Sequence, residues 1–187
     1  MRDKYSQINP FSKVPTLVTE EERVLFEAGI IIEYLDYKFP HAPHLIPLDP
    51  EKSLEVRFLE RLVDVYISGG REVLFADSQR SLVERGGKEV VKARRLLESA
   101  LALLDQRLVN RTWLTGEEFS LADCAAAPTL AYLRMVYNYQ HLSNLIDYVK
   151  RLESRLSVAR VFNSGREQMT RMLSALQYPF LLASLES

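Results

Sequence analysis

Apolar residues follow one rhythm up to about residue 40 of this chain and another beyond it. "PTLV" and "RVLF" are short apolar runs separated by the acidic "TEEE". That pattern predicts a hairpin of two strands of about four residues joined by a polar turn. "FEAGIIIEYLDYKF" follows without a proline until Pro40 and predicts a helix. Ile30, Ile31 and Ile32 are consecutive, and at about 100° per residue they cover well over half of a helix circumference, so burial on two sides is expected. "PHAPHLIPLDP" then carries four prolines in eleven residues and reads as a linker. Beyond it the rhythm is helical throughout. Leu54, Phe58, Leu59, Leu62, Val63 and Tyr66 are expected on one buried stripe, with Asp49 as N-cap and Pro50 at the first helical position. Gly-Gly pairs at 69–70 and 86–87 are expected to break the helix. "KEVVKARRLLESALALLDQRLV", "SLADCAAAPTLAYLRMVY", "LSNLIDYVKRLESRL" and "VARVFNSGREQMTRML" predict the remaining helices.

The organisation expected is a small α/β piece at 1–40, a linker at 41–49 and an all-helical domain at 50–187. A two-stranded hairpin with one helix buries too little to stand alone and must lean on something else. Composition narrows the function classes. The 24 basic and 25 acidic residues of the 187 give a net charge of -1, which argues against a nucleic-acid partner. The single cysteine, Cys124, excludes an internal disulfide framework and fits a reducing compartment. No apolar run approaches the ~20 residues needed to span a bilayer. A soluble, cytoplasmic protein with no membrane partner is expected.

Ser120 and Asp123 form an S-x-x-D capping box ahead of an apolar helix, in which each side chain satisfies an orphan backbone donor of the other. A catalytic Asp123 is the alternative, and the cap is preferred. Cys124 lies in an alanine-rich helix and is expected to be inert. His41 and His44 stand at i, i+3 with no further ligand candidate nearby, too few for zinc, so no metal site is expected. Pro128 is expected to kink its helix.

In combination, "NPFSKVPTLV", Glu27 opening a helix, "IIIEYLDYKFP", the proline-rich linker and "WLTGEEFSLADCAAAPTLAYL" resemble a cytosolic glutathione transferase of bacterial type. The resemblance covers nearly the whole chain. It implies an α+β, mostly α, fold: an incomplete thioredoxin-like hairpin and helix, then the all-α C-terminal domain of a glutathione transferase. It also implies a cis peptide bond before Pro15. The chain is expected to begin in mid-domain, because "MRDKYSQINP" resembles the end of the family's second helix and the β-α-β unit before it has no match. Carried over residue by residue, Val14 would pair its main chain with the cysteinyl part of glutathione, as an added strand does. Lys13 would suit the glycine carboxylate, and Glu27 the ammonium of the γ-glutamyl end. Ala28 stands where the family usually has Ser, a lost hydrogen bond to a charged group of about 1.5–3 kcal/mol, although a helix-start N–H still suits an anion. Tyr66, Tyr132, Met135 and Tyr137 are either core or the wall of a hydrophobic electrophile pocket. The residue that activates the thiol has no match, so conjugation by this chain is expected to be weak or absent.

The resemblance further implies glutathione as co-substrate with no resident cofactor, a hydrophobic electrophile as second substrate, and a homodimer built on the helix at 27–39 and the first long helix of the second domain. "EYLDYKFPHAPHLIP" also resembles the stringent starvation protein A family, transferase-fold partners of RNA polymerase. A non-catalytic interaction protein is therefore the alternative function.

Overall fold

In the computed structural model, which describes residues 2–174 and the side chains of residues 4–165, the chain separates into two units: residues up to Ser53, and residues from Leu54 onward. The first unit opens with a single helical turn, α1 (Arg2–Ser6), and the hairpin β1 (Thr16–Val18) and β2 (Val24–Phe26). The strands are antiparallel with Thr16 opposite Phe26 and Leu17 opposite Leu25, three residues each where the sequence suggested about four. Leu25 is buried against α2 (Ala28–Lys38), which follows at once.

The isoleucine triplet behaves differently from expectation. Ile31 is buried and Ile32 partly so, but Ile30 remains 51% exposed. Three consecutive positions point over an arc wider than this small unit covers, so one of them faces outward. The proline-rich segment groups with the first unit. Asp36 accepts hydrogen bonds from the backbone N–H groups of Leu45 and Ile46, both at 3.0 Å, and Ile46 is buried. Asp49 caps the next helix as expected, taking the Lys52 N–H at 2.9 Å, with Pro50 its first residue.

The second unit is helical: α3 (Pro50–Leu62, which begins in the first unit), a π-helical turn at Val63–Ser68, α4 (Gly69–Ser78), a 3₁₀ turn at Leu82–Glu84, α5 (Lys88–Arg107), α6 (Leu121–Leu133), α7 (Ser143–Ser154) and α8 (Leu156–Ser174). The tail from 175 to 187, expected to belong to the helical domain, lies outside the described residues. Two expectations need correction. The buried stripe of α3 and the π-helical turn that continues it is Val56, Leu59, Leu62, Val63 and Ile67, whereas Leu54 (62%), Phe58 (51%) and Tyr66 (46%) are exposed. Both stripes fit helical spacing, and the charged residues between them do not favour one over the other. Gly69–Gly70 is no break either. The helix runs through it, because Gly70 is buried where a Cβ would stand 2.7 Å from Leu97 Cγ on α5. The second pair does separate two elements: Gly86, at φ +80°, is in the left-handed region open to glycine, and Gly87 is the N-cap of α5.

The core of this unit is organised around Asp123, which is fully buried. Its carboxylate accepts from Ser120 N at 2.8 Å, Ser120 Oγ at 3.0 Å, Leu114 N at 3.0 Å and the Tyr148 hydroxyl at 2.7 Å. The capping box is formed on both legs, and the same side chain also ties in the 111–119 loop and α7. Removing it would strand buried backbone donors, each costing about 1–3 kcal/mol. Pro128 lies inside α6 as expected.

The two glycines of α4 give a stability test. Gly70→Ala forces Leu97 out of a packed position and should cost about 1–3 kcal/mol. Gly69→Ala meets nothing within 4 Å and should gain about 0.5–1 kcal/mol. Urea unfolding should show opposite signs; equal shifts would contradict the packing described.

Candidate functional site

The segment 9–16 is an exposed loop whose shape is set from beneath by one buried side chain. Asn9 is 1% exposed. Its Nδ2 donates to the Lys13 carbonyl at 2.8 Å and to Thr16 Oγ1 at 2.9 Å, while its Oδ1 accepts the Phe11 N–H at 3.0 Å. Tyr5 reaches the same two oxygens from α1: its hydroxyl donates to the Lys13 carbonyl at 2.6 Å and stands 2.7 Å from Thr16 Oγ1. The chain enters β1 through a cis Val14–Pro15 bond, and Val14 is 82% exposed. The Lys13–Val14 peptide is thus clamped through the Lys13 carbonyl, while Lys13, Val14 and Pro15 remain exposed.

The strand register brings the second half of the site alongside. Since Thr16 pairs with Phe26, the next positions along the two strands are Pro15 and Glu27. Glu27 is the N-cap of α2 and takes φ 73°, ψ 115°, a left-sided conformation that is unusual for a residue with a side chain. Its own side chain makes no cap hydrogen bond, so the exposed carboxylate is left at the helix start beside the free N–H groups of the first turn. The first unit therefore brings together an exposed bend at Val14, a lysine, a carboxylate and a helix N-terminus. That set suits a zwitterionic peptide-like ligand. Sequence reasoning located Lys13, Val14, Pro15, Glu27 and Ala28 and gave no role to Asn9 or Tyr5. The Asn-Pro pair at 9–10 was the available signal, since Asn commonly organises the turn that follows it.

In the second unit, Tyr66 and Tyr132 keep an exposed face, and the Arg71 guanidinium lies 5.8 Å from the Tyr132 ring centroid. Tyr66 falls in the π-helical turn, a feature enriched at functional sites. Met135 is only 5% exposed and is a core residue, so the accessible surface of this group belongs to the tyrosines. Tyr137 is partly buried under Arg94, and burial raises its pKa.

Burial, with the Asp123 charge beside it, pushes the Cys124 thiol up to about 11. It stays protonated near neutral pH and supplies no nucleophile. His44 stands 3.6 Å from Asp36, and among the described residues no cluster of three or more His, Cys, Asp or Glu could hold a metal ion. Nor is any described helix long and apolar enough to cross a membrane.

Comparison with known proteins gives a consistent picture. Residues 57–151 match the family model of the glutathione S-transferase C-terminal domain, and residues 1–38 that of the N-terminal domain. The chain is similar to an uncharacterized GST-like protein of Escherichia coli K12, YibF, at 33% identity over 163 residues, which is 83% of this chain and 77% of that protein. It is also similar to a stringent starvation protein A homolog of Coxiella burnetii, at 34% identity over 66% of this chain and 54% of that one, so it spans about half of that relative's length. Among solved structures it resembles a glutathione S-transferase from Methylobacterium radiotolerans in complex with glutathione sulfonate, with a TM-score of 0.72 and 31% identity over 83% of this chain and 74% of that one.

If Asn9 sets the loop, Asn9→Ala should open it locally by about 2 kcal/mol. Hydrogen exchange should quicken by more than tenfold (about one decade per 1.4 kcal/mol) at the amides of Phe11 and Ser12. Tyr5→Phe should have a smaller effect. Unchanged exchange at those amides would show that the loop is held by something else.

Proposed function

Because the chain belongs to the glutathione S-transferase family, we propose that it binds glutathione on the 13–15 loop and the start of α2. The observation that carries this reading is the exposed Val14 at the entry to β1, where the strand register sets the adjoining Pro15 opposite Glu27. Val14 pairs with the cysteinyl residue through its main chain, Lys13 takes the glycine carboxylate, and Glu27 takes the γ-glutamyl ammonium. The N–H groups at the start of α2 receive the γ-glutamyl carboxylate, where Ala28 offers no hydroxyl. Tyr66 and Tyr132 present the apolar surface for an electrophile.

Conjugation requires the glutathione thiol to ionise, which a hydrogen bond to sulfur promotes. This reading assigns none of the matched site residues to that bond, and the tyrosines at 139 and 148 are buried core groups whose pKa values are raised by burial. The proposed activity of this chain is therefore glutathione binding with weak conjugation at most. The cytoplasm, where thiols stay reduced, is the compartment that fits. A twofold homodimer belongs to the same reading, supported by the exposed apolar residues Ile30 on α2 and Leu54 and Phe58 on α3.

A second reading, a non-catalytic interaction protein, is favoured by Ala28 and by the likeness to stringent starvation protein A homologs. Retention on immobilised glutathione separates the two: the first reading requires it and the second does not. Glu27→Gly should abolish retention while raising stability by about 1 kcal/mol, since glycine accepts the positive φ without strain. With chlorodinitrobenzene, turnover should stay near the uncatalysed rate. Flow-through of the unaltered protein, or retention by Glu27→Gly, would remove the glutathione reading.

A further inference from the structure

The first turns of α5 carry an unusual distribution of charge. Lys88, Val91, Lys92, Arg95 and Leu96 recur at i, i+3, i+4, i+7 and i+8 and so share one face. All five are exposed, and together with Gly86 they line a surface groove of about 470 Å³. Among the described residues none of the three cations makes an ion pair or hydrogen bond. Glu89 and Glu98 stand at the margins of this face, and neither lines the groove. The 3₁₀ turn just before it adds Leu82 and Val83, which are 73% and 93% exposed.

This arrangement does little for the helix that carries it. The positive end of the helix dipole favours acidic residues in the first turn, where Glu89 stands, and makes Lys88 mildly unfavourable there. Lys92 and Arg95 lie beyond that turn, and without an ion-pair partner among the described residues they add no pair that would stabilise α5. A run of local choices that does little for the element containing it is the mark of a surface shaped by something else.

We propose that this groove docks an acidic peptide segment of a partner protein, with apolar side chains of that segment on Val91 and Leu96 and its carboxylates on Lys88, Lys92 and Arg95. Charge complementarity selects the occupant: three unpaired cations demand an anion, and the apolar floor demands a ligand that is also greasy. A nucleic acid fits less well. No aromatic ring lines the groove for bases to stack on, and the chain's overall charge of -1 gives no wide basic field. The site is separate from the glutathione reading and does not depend on it.

The test is fluorescence anisotropy with a labelled peptide of about a dozen residues in which Asp and Glu alternate with Leu and Phe, long enough to cross the three turns. Saturable binding is expected, weakening as salt rises. Lys92→Glu with Arg95→Glu should weaken it by about tenfold or more. Both side chains are exposed and unpartnered, so an unchanged melting curve is expected for this variant and establishes that it folds. A peptide of the same charge with Ser in place of Leu and Phe should bind several-fold more weakly. Absence of saturable binding, indifference to the double charge reversal, or tighter binding of a single-stranded oligonucleotide of equal charge would each overturn the proposal. So would loss of self-association in the reversed variant without any peptide binding, since a second copy would then be the occupant.

Discussion

A buried carboxylate with no ion-pair partner among the described residues ties the core of the larger unit together. Asp123 sits in the core and is satisfied entirely by donors: two N–H groups and two hydroxyls, from the 111–119 loop, from the residue that caps α6, and from α7. A charge in such a place is tolerable only because every lone pair in use is met by a well-placed donor. The consequence is cooperative. The loop cannot leave, α6 cannot fray and α7 cannot slide without exposing an anion to an apolar interior. Trp113 packs edge-on against Phe119 and Tyr148 around the same point, so the polar hub is roofed by rings that keep water from competing for it.

The smaller unit repeats the device with a neutral side chain. Asn9 offers two donors and an acceptor to a loop that has no regular partner for its backbone, and Tyr5 doubles the grip on the Lys13 carbonyl. Both hubs work by collecting main-chain groups that would otherwise be orphans. Their outcomes differ. Around Asp123 everything is turned inward and the chemistry is silent, and the raised pKa values of Cys124 and Tyr148 follow from that burial. Around Asn9 the backbone is fixed but its far side is left bare at Val14, which is what a ligand-binding loop requires.

How much of this was legible in the sequence depended on whether the signal was local. The hairpin, α2, the Asp49 cap and the Ser120–Asp123 box are written in adjacent residues, and they stand where the sequence placed them. The errors concern which of two geometrically allowed faces is covered. Leu54 and Phe58 share a helical stripe as regular as that of Val56, Leu59 and Val63, and only the neighbouring helices determine which is buried. Gly69–Gly70 looked like punctuation because glycine disfavours helices; the close approach of Leu97 that makes Gly70 necessary lies 27 positions away. Asn9 went unnoticed for the same reason in miniature, because its partners at 11, 13 and 16 acquire meaning only once the loop has folded back.

The functional account reduces to the claim that the Val14 main chain is a recognition surface, presented by a fixed loop beside a helix start. Nuclear magnetic resonance of the ¹⁵N-labelled protein during a glutathione titration addresses it at the atom concerned. The account expects the largest amide shift at Val14, with smaller shifts at Glu27 and Ala28 and saturation with a single binding curve. Shifts that leave the Val14 amide unmoved, wherever else they fall, would contradict it.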